Sequence, residues 1–226
     1  MQALTARRLA EQGVQAIAVD LSGTGDSAGE FREARLEHWR QDLALVADWA
    51  AGEGAPVVGL IGTRFGALLA LEFAAVVPGP LRVALWHPVA SGQLQLTQFL
   101  RLRVAGGLLA GGGAESAASL TKELKGGNVL EIAGYDLHPE LAAAMDGLDL
   151  RRIVPPAGTR IGWFEVGAGE LPELSRVGTD RLREWTAAGV AAEGLALPGD
   201  TFWSTVELTA CPELVERTVR FLVPAT

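Results

Sequence analysis

The sequence predicts an α/β protein in which helices cover both faces of a mostly parallel sheet. Short apolar runs, typical of buried strands, alternate along the chain with amphipathic stretches of helical period. The 226 residues suffice for one such domain with a small insertion, and 49% hydrophobic and 20% charged residues are typical of a folded protein. In a sheet of this kind, ligands bind beyond the carboxyl ends of the strands.

The predicted elements follow in a regular order. A helix over 2–12 ends at Gly13, and the apolar segment VQAIAVDL predicts a strand over 14–21. A long helix is predicted over 33–51, with apolar residues three or four positions apart. These residues are Leu36, Trp39, Leu43, Val46 and Trp49. The remaining strands are expected at 56–62, 82–88, 160–167 and 191–197, and the remaining helices at 64–77, 172–188 and 212–222.

Residues 89–152 interrupt this alternation. They contain helical stretches at 94–110, 115–125 and 138–147, glycine clusters at 111–113 and 126–127, and no convincing strand. We interpret 89–152 as a helical lid inserted into a core made of 1–88 and 153–226, and we expect it to be the more mobile part. The alternative is a segment that only covers hydrophobic surface.

Composition excludes several function classes. The net charge of −8 makes nucleic acid and anionic membranes unlikely partners, and Glu72 and Pro78 interrupt the longest apolar run before it reaches membrane-spanning length. The single Cys211 fits a reducing compartment, so we expect a cytoplasmic protein. One cysteine and three scattered histidines make no usual zinc site, and no cofactor is predicted.

The stretch VGLIGTRFGALLALEFA combines a strand, a tight turn and a helix. This is the setting of the nucleophile elbow Gly-x-Ser-x-Gly, in which a serine lies at the tip of the turn. Gly62 and Gly66 occupy the glycine positions, but Arg64 stands where the serine would be. Arginine cannot act as the nucleophile.

Several segments resemble the α/β-hydrolase fold and one family within it. The turn DLSGTGDSAG matches a D-x-x-G-x-G-x-S pattern that commonly precedes the elbow, and we expect its Ser27 to bond the backbone. The segments LWHPVASGQLQLTQFLRLR, GNVLEIAGYDLHPELA and GDTFWSTVELTACPELVERT resemble the exosortase-A-system-associated hydrolase of the second type. That resemblance implies a bacterial context of exopolysaccharide and protein-sorting genes and an arginine in the elbow. The family's hydrolase label rests on its fold and establishes no reaction.

Two departures set the chain apart from an active hydrolase. The loop before the last helix reads PGDTFWS, with Asp200 and Thr201 where a catalytic histidine is expected. Of the histidines, His38 and His138 are expected in solvent, whereas His87 follows a strand and could approach the elbow. The resemblance also implies strands before the first helix, so we expect that Met1 is an internal methionine or that the gap in the sheet is filled by direct pairing or by a partner.

An arginine at the amino end of a helix places a positive charge where the helix dipole is already positive. A nearby anion is therefore required to balance it. The anion could be internal, with Asp20, Glu165 and Glu170 as candidates, or a ligand. The functional interpretation is an anion site with aromatic walls under the lid. The predicted binding residues are Arg64, Phe65, Trp86, His87, Glu165 and Trp203, and Phe99 and Trp163 are further candidates for the walls.

Three functions remain open at this point. The first is a non-catalytic α/β-hydrolase homologue that binds an anionic or acylated small molecule, or a partner protein, in exopolysaccharide-associated metabolism. The second is an active hydrolase or acyl-transfer enzyme in which Arg64 stabilises charge and water or His87 supplies the base. The third is a structural module for protein interaction.

Overall fold

The computed structural model describes residues 1–109, 115–205 and 209–223. The chain divides into two compact units, which we call the sheet unit and the helical unit. The sheet unit comprises Met1–Ala18, Ala47–Pro88 and Ile153–Thr226, and the helical unit comprises Val19–Val46 and Val89–Arg152. The helical unit therefore joins 19–46 to the predicted lid segment. The role of 89–152 as a lid stays a prediction.

Among the described residues, four parallel strands form the sheet of the sheet unit. They are β1 (Gly59–Thr63), β2 (Arg82–Trp86), β5 (Arg160–Gly167) and β6 (Ala191–Pro198), in the spatial order β1-β2-β5-β6. The helices with residues in this unit are α1 (Gln2–Glu11), the last six residues of α2 (Leu36–Gly52), α3 (Phe65–Ala74), α7 (Arg176–Ala187) and α8 (Pro212–Leu222). The four predicted strands and their following helices are confirmed, with ends that differ by a few residues.

The central strands are apolar because helices cover them. Val83, Ala84 and Leu85 of β2 are fully buried, and α3 and α8 both pack against this strand. Phe164 of β5 meets Phe221 of α8 edge to face at 5.9 Å. The candidate site lies at the carboxyl ends of these buried strands.

The prediction of a strand over 14–21 is wrong. The structure assigns no strand to these residues, and Ile17 is 48% exposed. An extended segment becomes a strand only by pairing with a neighbour, and among the described residues the ladder of β1 is with β2. Residues 14–21 therefore have the apolar pattern of a strand but, among the described residues, no neighbouring strand with which to pair.

Helix α2 confirms the predicted long helix but not its whole apolar side. Leu36 and Trp39 are buried, whereas Trp49 is 59% exposed. The indole of Trp39 also donates to the carbonyl oxygen of Ser22 at 3.0 Å, which fixes the turn after residue 20. The spacing of apolar residues predicted the helix correctly but wrongly placed Trp49 on its buried side, where Ala50 is buried instead.

The helical unit contains the predicted helices and, in addition, a β-hairpin. Its elements in 89–152 are α4 (Gly92–Leu109), α5 (Ala117–Lys125), β3 (Leu130–Ile132), β4 (Tyr135–Leu137) and α6 (Pro139–Asp146). The expectation of no strand here is therefore wrong. The two-residue turn of the antiparallel hairpin has positive φ at both positions, 51° at Ala133 and 86° at Gly134, as a hairpin of this length requires.

The two glycine clusters have different outcomes. Gly127, with φ of 90°, lies just beyond α5 and lets the chain turn toward β3. The cluster at 111–113 lies outside the described residues. In the part of the chain that the structure describes, no helix combines the length and the apolar character needed to cross a membrane.

Candidate functional site

The predicted elbow is present, with Arg64 at its tip. Strand β1 ends at Thr63 and α3 begins at Phe65, so Arg64 is the only residue between them. Its backbone has φ of 54° and ψ of −117°, a conformation that costs a side-chain-bearing residue about 1–3 kcal/mol. The Arg64 N–H donates to the carbonyl oxygen of Trp86 at 3.0 Å, which ties the elbow to the end of β2.

Gly62 is required by the tightness of this turn. A Cβ atom at Gly62 would lie 2.5 Å from the carbonyl oxygen of Gly66 and 2.6 Å from the Cα atom of Ala67. These backbone atoms cannot move away without unwinding the first turn of α3. A Cβ atom at Gly66, by contrast, would meet nothing within 4 Å. The two glycines of the motif therefore have unequal structural importance.

The side chain of Arg64 lies against the end of β2 and the loop after β6. Its Nη1 donates to the carbonyl oxygen of His87 at 3.0 Å, and its guanidinium carbon is 5.1 Å from the ring centroid of Trp203. This distance is within the range of a cation–π interaction. The side chain is half-buried, and burial lowers the pKa of Arg64 below its usual value.

His87, like Arg64, has a strained backbone conformation. It follows β2 with φ of 45°, its N–H donates to the carbonyl oxygen of Phe164 at 2.6 Å, and its ring centroid is 4.6 Å from that of Trp203. The Nδ1 atom accepts a hydrogen bond from the Val166 N–H at 3.4 Å. The imidazole is thus held in one orientation by β5 on one side and an indole on the other.

Electrostatic surroundings favour the neutral form of His87. Burial is the main cause of the lowered pKa of His87, and the positive charge of Arg64 lowers it further. The carboxylate of Glu165 opposes both effects and raises this pKa. The net direction is downward, so the imidazole is neutral at physiological pH.

Glu165 is buried on β5 and holds the start of α7. It accepts hydrogen bonds from the indole Nε1–H of Trp163 at 2.6 Å and from the backbone N–H and hydroxyl of Ser175, both at 2.7 Å. Ser175 is in turn the N-cap of α7. Glu165, one of the three predicted candidates for an internal partner of Arg64, thus directs its described hydrogen bonds to the start of α7 and to an indole.

The other predicted binding residues, Trp86 and Phe65, lie at the edge of the group that Arg64, His87, Trp203 and Glu165 form. Trp86 is buried in the core, where its indole donates to the hydroxyl of Thr218 at 2.9 Å, and Phe65 is the half-buried first residue of α3. Sequence reasoning missed Phe202, whose ring meets those of Trp86 at 5.7 Å and Trp203 at 5.0 Å. The adjacent aromatic pair in PGDTFWS was the available signal.

The structure therefore brings Arg64, His87 and Trp203 into contact, with Glu165 close enough to His87 to affect its pKa. We call these four residues the elbow cluster. Where a hydrolase needs a nucleophile, the cluster has a guanidinium, and the imidazole Nδ1 that could serve as a base already accepts a backbone hydrogen bond. The same groups are suited to holding an anion or a carbonyl oxygen.

Other predicted reactive residues are structural. The hydroxyl of Ser27 donates to the carbonyl oxygen of Asp20 at 2.5 Å, which confirms the expected backbone bond. The thiol of Cys211 is buried, with its Sγ 3.6 Å from the carbonyl oxygen of Pro198. Among the described residues, no three His, Cys, Asp or Glu side chains come together in a group that could hold a metal ion.

Two open surface cavities lie in the helical unit and include no residue of the elbow cluster. One, of about 410 Å³, lies between α2 and α6, and the other, of about 590 Å³, lies beside α4. Each cavity contains an ion pair, between Arg35 and Glu140 at 2.8 Å in the first and between Arg103 and Glu115 at 2.6 Å in the second. Exposed ion pairs of this kind contribute little to stability.

Comparison with solved structures identifies the fold. A hypothetical protein of Pseudomonas aeruginosa has a TM-score of 0.58 at 16% identity, covering 97% of this chain and 78% of its own. The α/β-hydrolase GrgF of Penicillium also has a TM-score of 0.58 at 16% identity, covering 97% and 83%. A structure of the metagenome-derived lipolytic enzymes LipS and LipT has a TM-score of 0.56 at 14% identity, covering 97% and 86%.

These likenesses give the chain an α/β-hydrolase-like fold. Neither a protein-family model nor a curated protein matches the sequence. At 14–16% identity the similarity shows the fold alone, and the chemistry of a site does not follow from its fold.

Proposed function

We propose that the protein is a non-catalytic α/β-hydrolase homologue that binds an anionic or acylated small molecule at Arg64. The observation that carries the proposal is the conformation of the elbow. Arg64 has the strained φ of 54° of a tight elbow turn, yet presents a guanidinium instead of a hydroxyl. Backbone strain of this size persists where the surrounding structure enforces it, and such positions concentrate at functional sites.

The surroundings of Arg64 are suited to binding. The amino end of α3 favours negative charge, and the guanidinium adds a full positive charge at the same point. Half-burial reduces competition from water, so a carboxylate or carbonyl oxygen bound here gains more than on an open surface. Trp203 supplies an apolar wall beside the charge, which fits an acyl group.

The wider context belongs to the same proposal. The resemblance to the exosortase-A-system-associated hydrolase of the second type supports a cytoplasmic role in exopolysaccharide-associated metabolism. The elbow arginine is the feature that the two share. A partner protein with an exposed acidic or acylated group is an alternative ligand of the same chemistry.

Two variants of Arg64 test the proposal. Arg64→Ser restores the elbow hydroxyl but supplies no base, and groups that act as a unit recover little when one is added alone. We expect no more nitrophenyl-ester turnover from Arg64→Ser than from the parent protein, which we also expect to be inactive. Robust turnover by either protein would favour an active hydrolase or acyl-transfer enzyme.

Binding is tested with Arg64→Ala by calorimetric titration of hexanoate. Removing one partner of a desolvated charge-assisted contact costs about 2–5 kcal/mol, and because Arg64 is only half-buried we expect a loss of about 2 kcal/mol, or roughly thirtyfold in Kd. Arg7→Ala is the matched control, because it removes one charge from an exposed side chain on α1. Equal affinity in the parent and Arg64→Ala would refute the proposed function.

A further inference from the structure

The Nε2 atom of the His87 imidazole is a hydrogen-bond donor. In a neutral imidazole one nitrogen accepts and the other carries the proton. Because Nδ1 accepts the Val166 N–H, the proton resides on Nε2. Among the described residues, Nε2 has no hydrogen-bond partner in the protein. The imidazole is therefore an oriented donor in direct contact with Trp203 and adjacent to Arg64.

Backbone strain is concentrated at the same two residues. Apart from Ala133 in the hairpin turn, Arg64 and His87 are the residues other than glycine with positive φ in the described part of the chain. They are joined by the hydrogen bond from Arg64 Nη1 to the His87 carbonyl oxygen at 3.0 Å. Two strained residues in contact place a guanidinium and an imidazole N–H in one small region.

The charges of the cluster limit the kind of anion. Arg64 contributes one positive charge, and Glu165, whose oxygens accept three hydrogen bonds as an ionised carboxylate does, contributes one negative charge. With His87 neutral, these groups sum to zero. A carboxylate adds a single charge, whereas a phosphate monoester adds about −1.5 to −2 at neutral pH and meets more repulsion from Glu165.

We infer that His87 donates from Nε2 to the same anion that Arg64 binds, and that the two residues together select a monocarboxylate over a phosphate ester. The inference rests on the proposed function and deepens it by naming the ligand class. The planar guanidinium donates to the carboxylate oxygens in the plane of the carboxylate, and the imidazole N–H donates to a remaining oxygen lone pair. His87 acts in specificity and takes no part in a reaction.

Two substitutions of His87 test the Nε2–H donor separately from any effect on folding. His87→Asn tolerates positive φ and keeps an acceptor near the position of Nδ1 for the Val166 N–H, but it lacks the distal donor. His87→Gln places a distal amide N–H near the position of Nε2. With hexanoate as the calorimetric probe, we expect about tenfold weaker binding for His87→Asn and a smaller loss for His87→Gln. Exposed His38→Asn is the control and should bind like the parent.

The same titrations with hexyl phosphate test the ligand class. The inference predicts tighter binding of hexanoate than of hexyl phosphate by the parent protein. If hexanoate binds and depends on Arg64 but His87→Asn is unchanged, or if hexyl phosphate binds more tightly, the inference is wrong and the proposed function stands. If neither anion binds the parent, both are wrong.

A measurement on the unmodified protein guards against a variant that fails to fold. In ¹⁵N-resolved NMR of the imidazole groups, hexanoate should shift the Nε2 resonance of His87 and leave its Nδ1 an acceptor. A hexanoate-dependent shift at Arg64 with none at His87 Nε2 would overturn the inference.

Discussion

Replacing Arg64 by glycine should stabilise the protein relative to replacing it by alanine. Both variants lose the hydrogen bond to His87 and the contact with Trp203, so their difference isolates the backbone. At φ of 54° and ψ of −117° the alanine bears about 1–3 kcal/mol of strain that glycine avoids. Glycine loses about 0.5–1 kcal/mol more conformational entropy on folding. The expected advantage of glycine is therefore about 0–2.5 kcal/mol.

Chemical denaturation followed by tryptophan fluorescence measures this difference. The control is Ala10→Gly in α1, an exposed helical position in the same sheet unit with ordinary backbone angles. There glycine should destabilise the protein by about 0.5–1 kcal/mol, which is the opposite sign. If Arg64→Gly is less stable than Arg64→Ala, the elbow is not strained, and the reasoning from strain to function fails.

Three further predictions concern the surroundings of the elbow cluster. Glu165→Gln should lower the free energy of unfolding by about 1–3 kcal/mol in thermal denaturation, because an amide N–H then faces donors, whereas exposed Glu173→Gln should have little effect. Because the pKa of His87 lies below its ordinary value of 6.5, the unfolded chain binds this proton first as the pH falls. The contribution of His87 to stability should therefore decrease below about pH 6.5 and level off below the folded-state pKa, and His87→Gln, but not His38→Gln, should remove this slope. Trp86→Phe should cost about 1–3 kcal/mol in urea unfolding, since it leaves a cavity and an unsatisfied hydroxyl, and a neutral result would contradict the assigned core position.

Local pattern was sufficient to predict most elements of the sheet unit. The segment RIGWFEVG coincides with β5, and the last helix coincides with α8, because both have a strong period and clear ends. The segment at 14–21 has an equally good strand pattern and forms none. Strand formation depends on a neighbour that pattern alone cannot supply.

The sequence was sufficient to predict which residues meet at the elbow, but not all of the hydrogen bonds that they form. The spacing of Gly62 and Gly66 placed Arg64 at the elbow, because a turn this tight has one outward position. Sequence also named His87 and Trp203, which do meet Arg64. It could not reveal the acceptor role of His87 Nδ1, which depends on the register between β2 and β5.

The hairpin of the helical unit was missed for a related reason. Its turn pairs an alanine with a glycine, and alanine rarely adopts the required positive φ. The short strands on either side, three residues each, gave too little alternation to outweigh the helical stretches around them.

The central claim is that the guanidinium of Arg64 binds a carboxylate, and ¹⁵N-resolved NMR of the arginine side chains tests it most directly. On titration with hexanoate, the Nε resonance of Arg64, assigned by its loss in Arg64→Ala, should shift and saturate with a single Kd. The resonance of exposed Arg7 should not move. An Arg64 resonance that stays unchanged to saturating hexanoate would contradict the claim and leave this arginine with a structural role at the elbow.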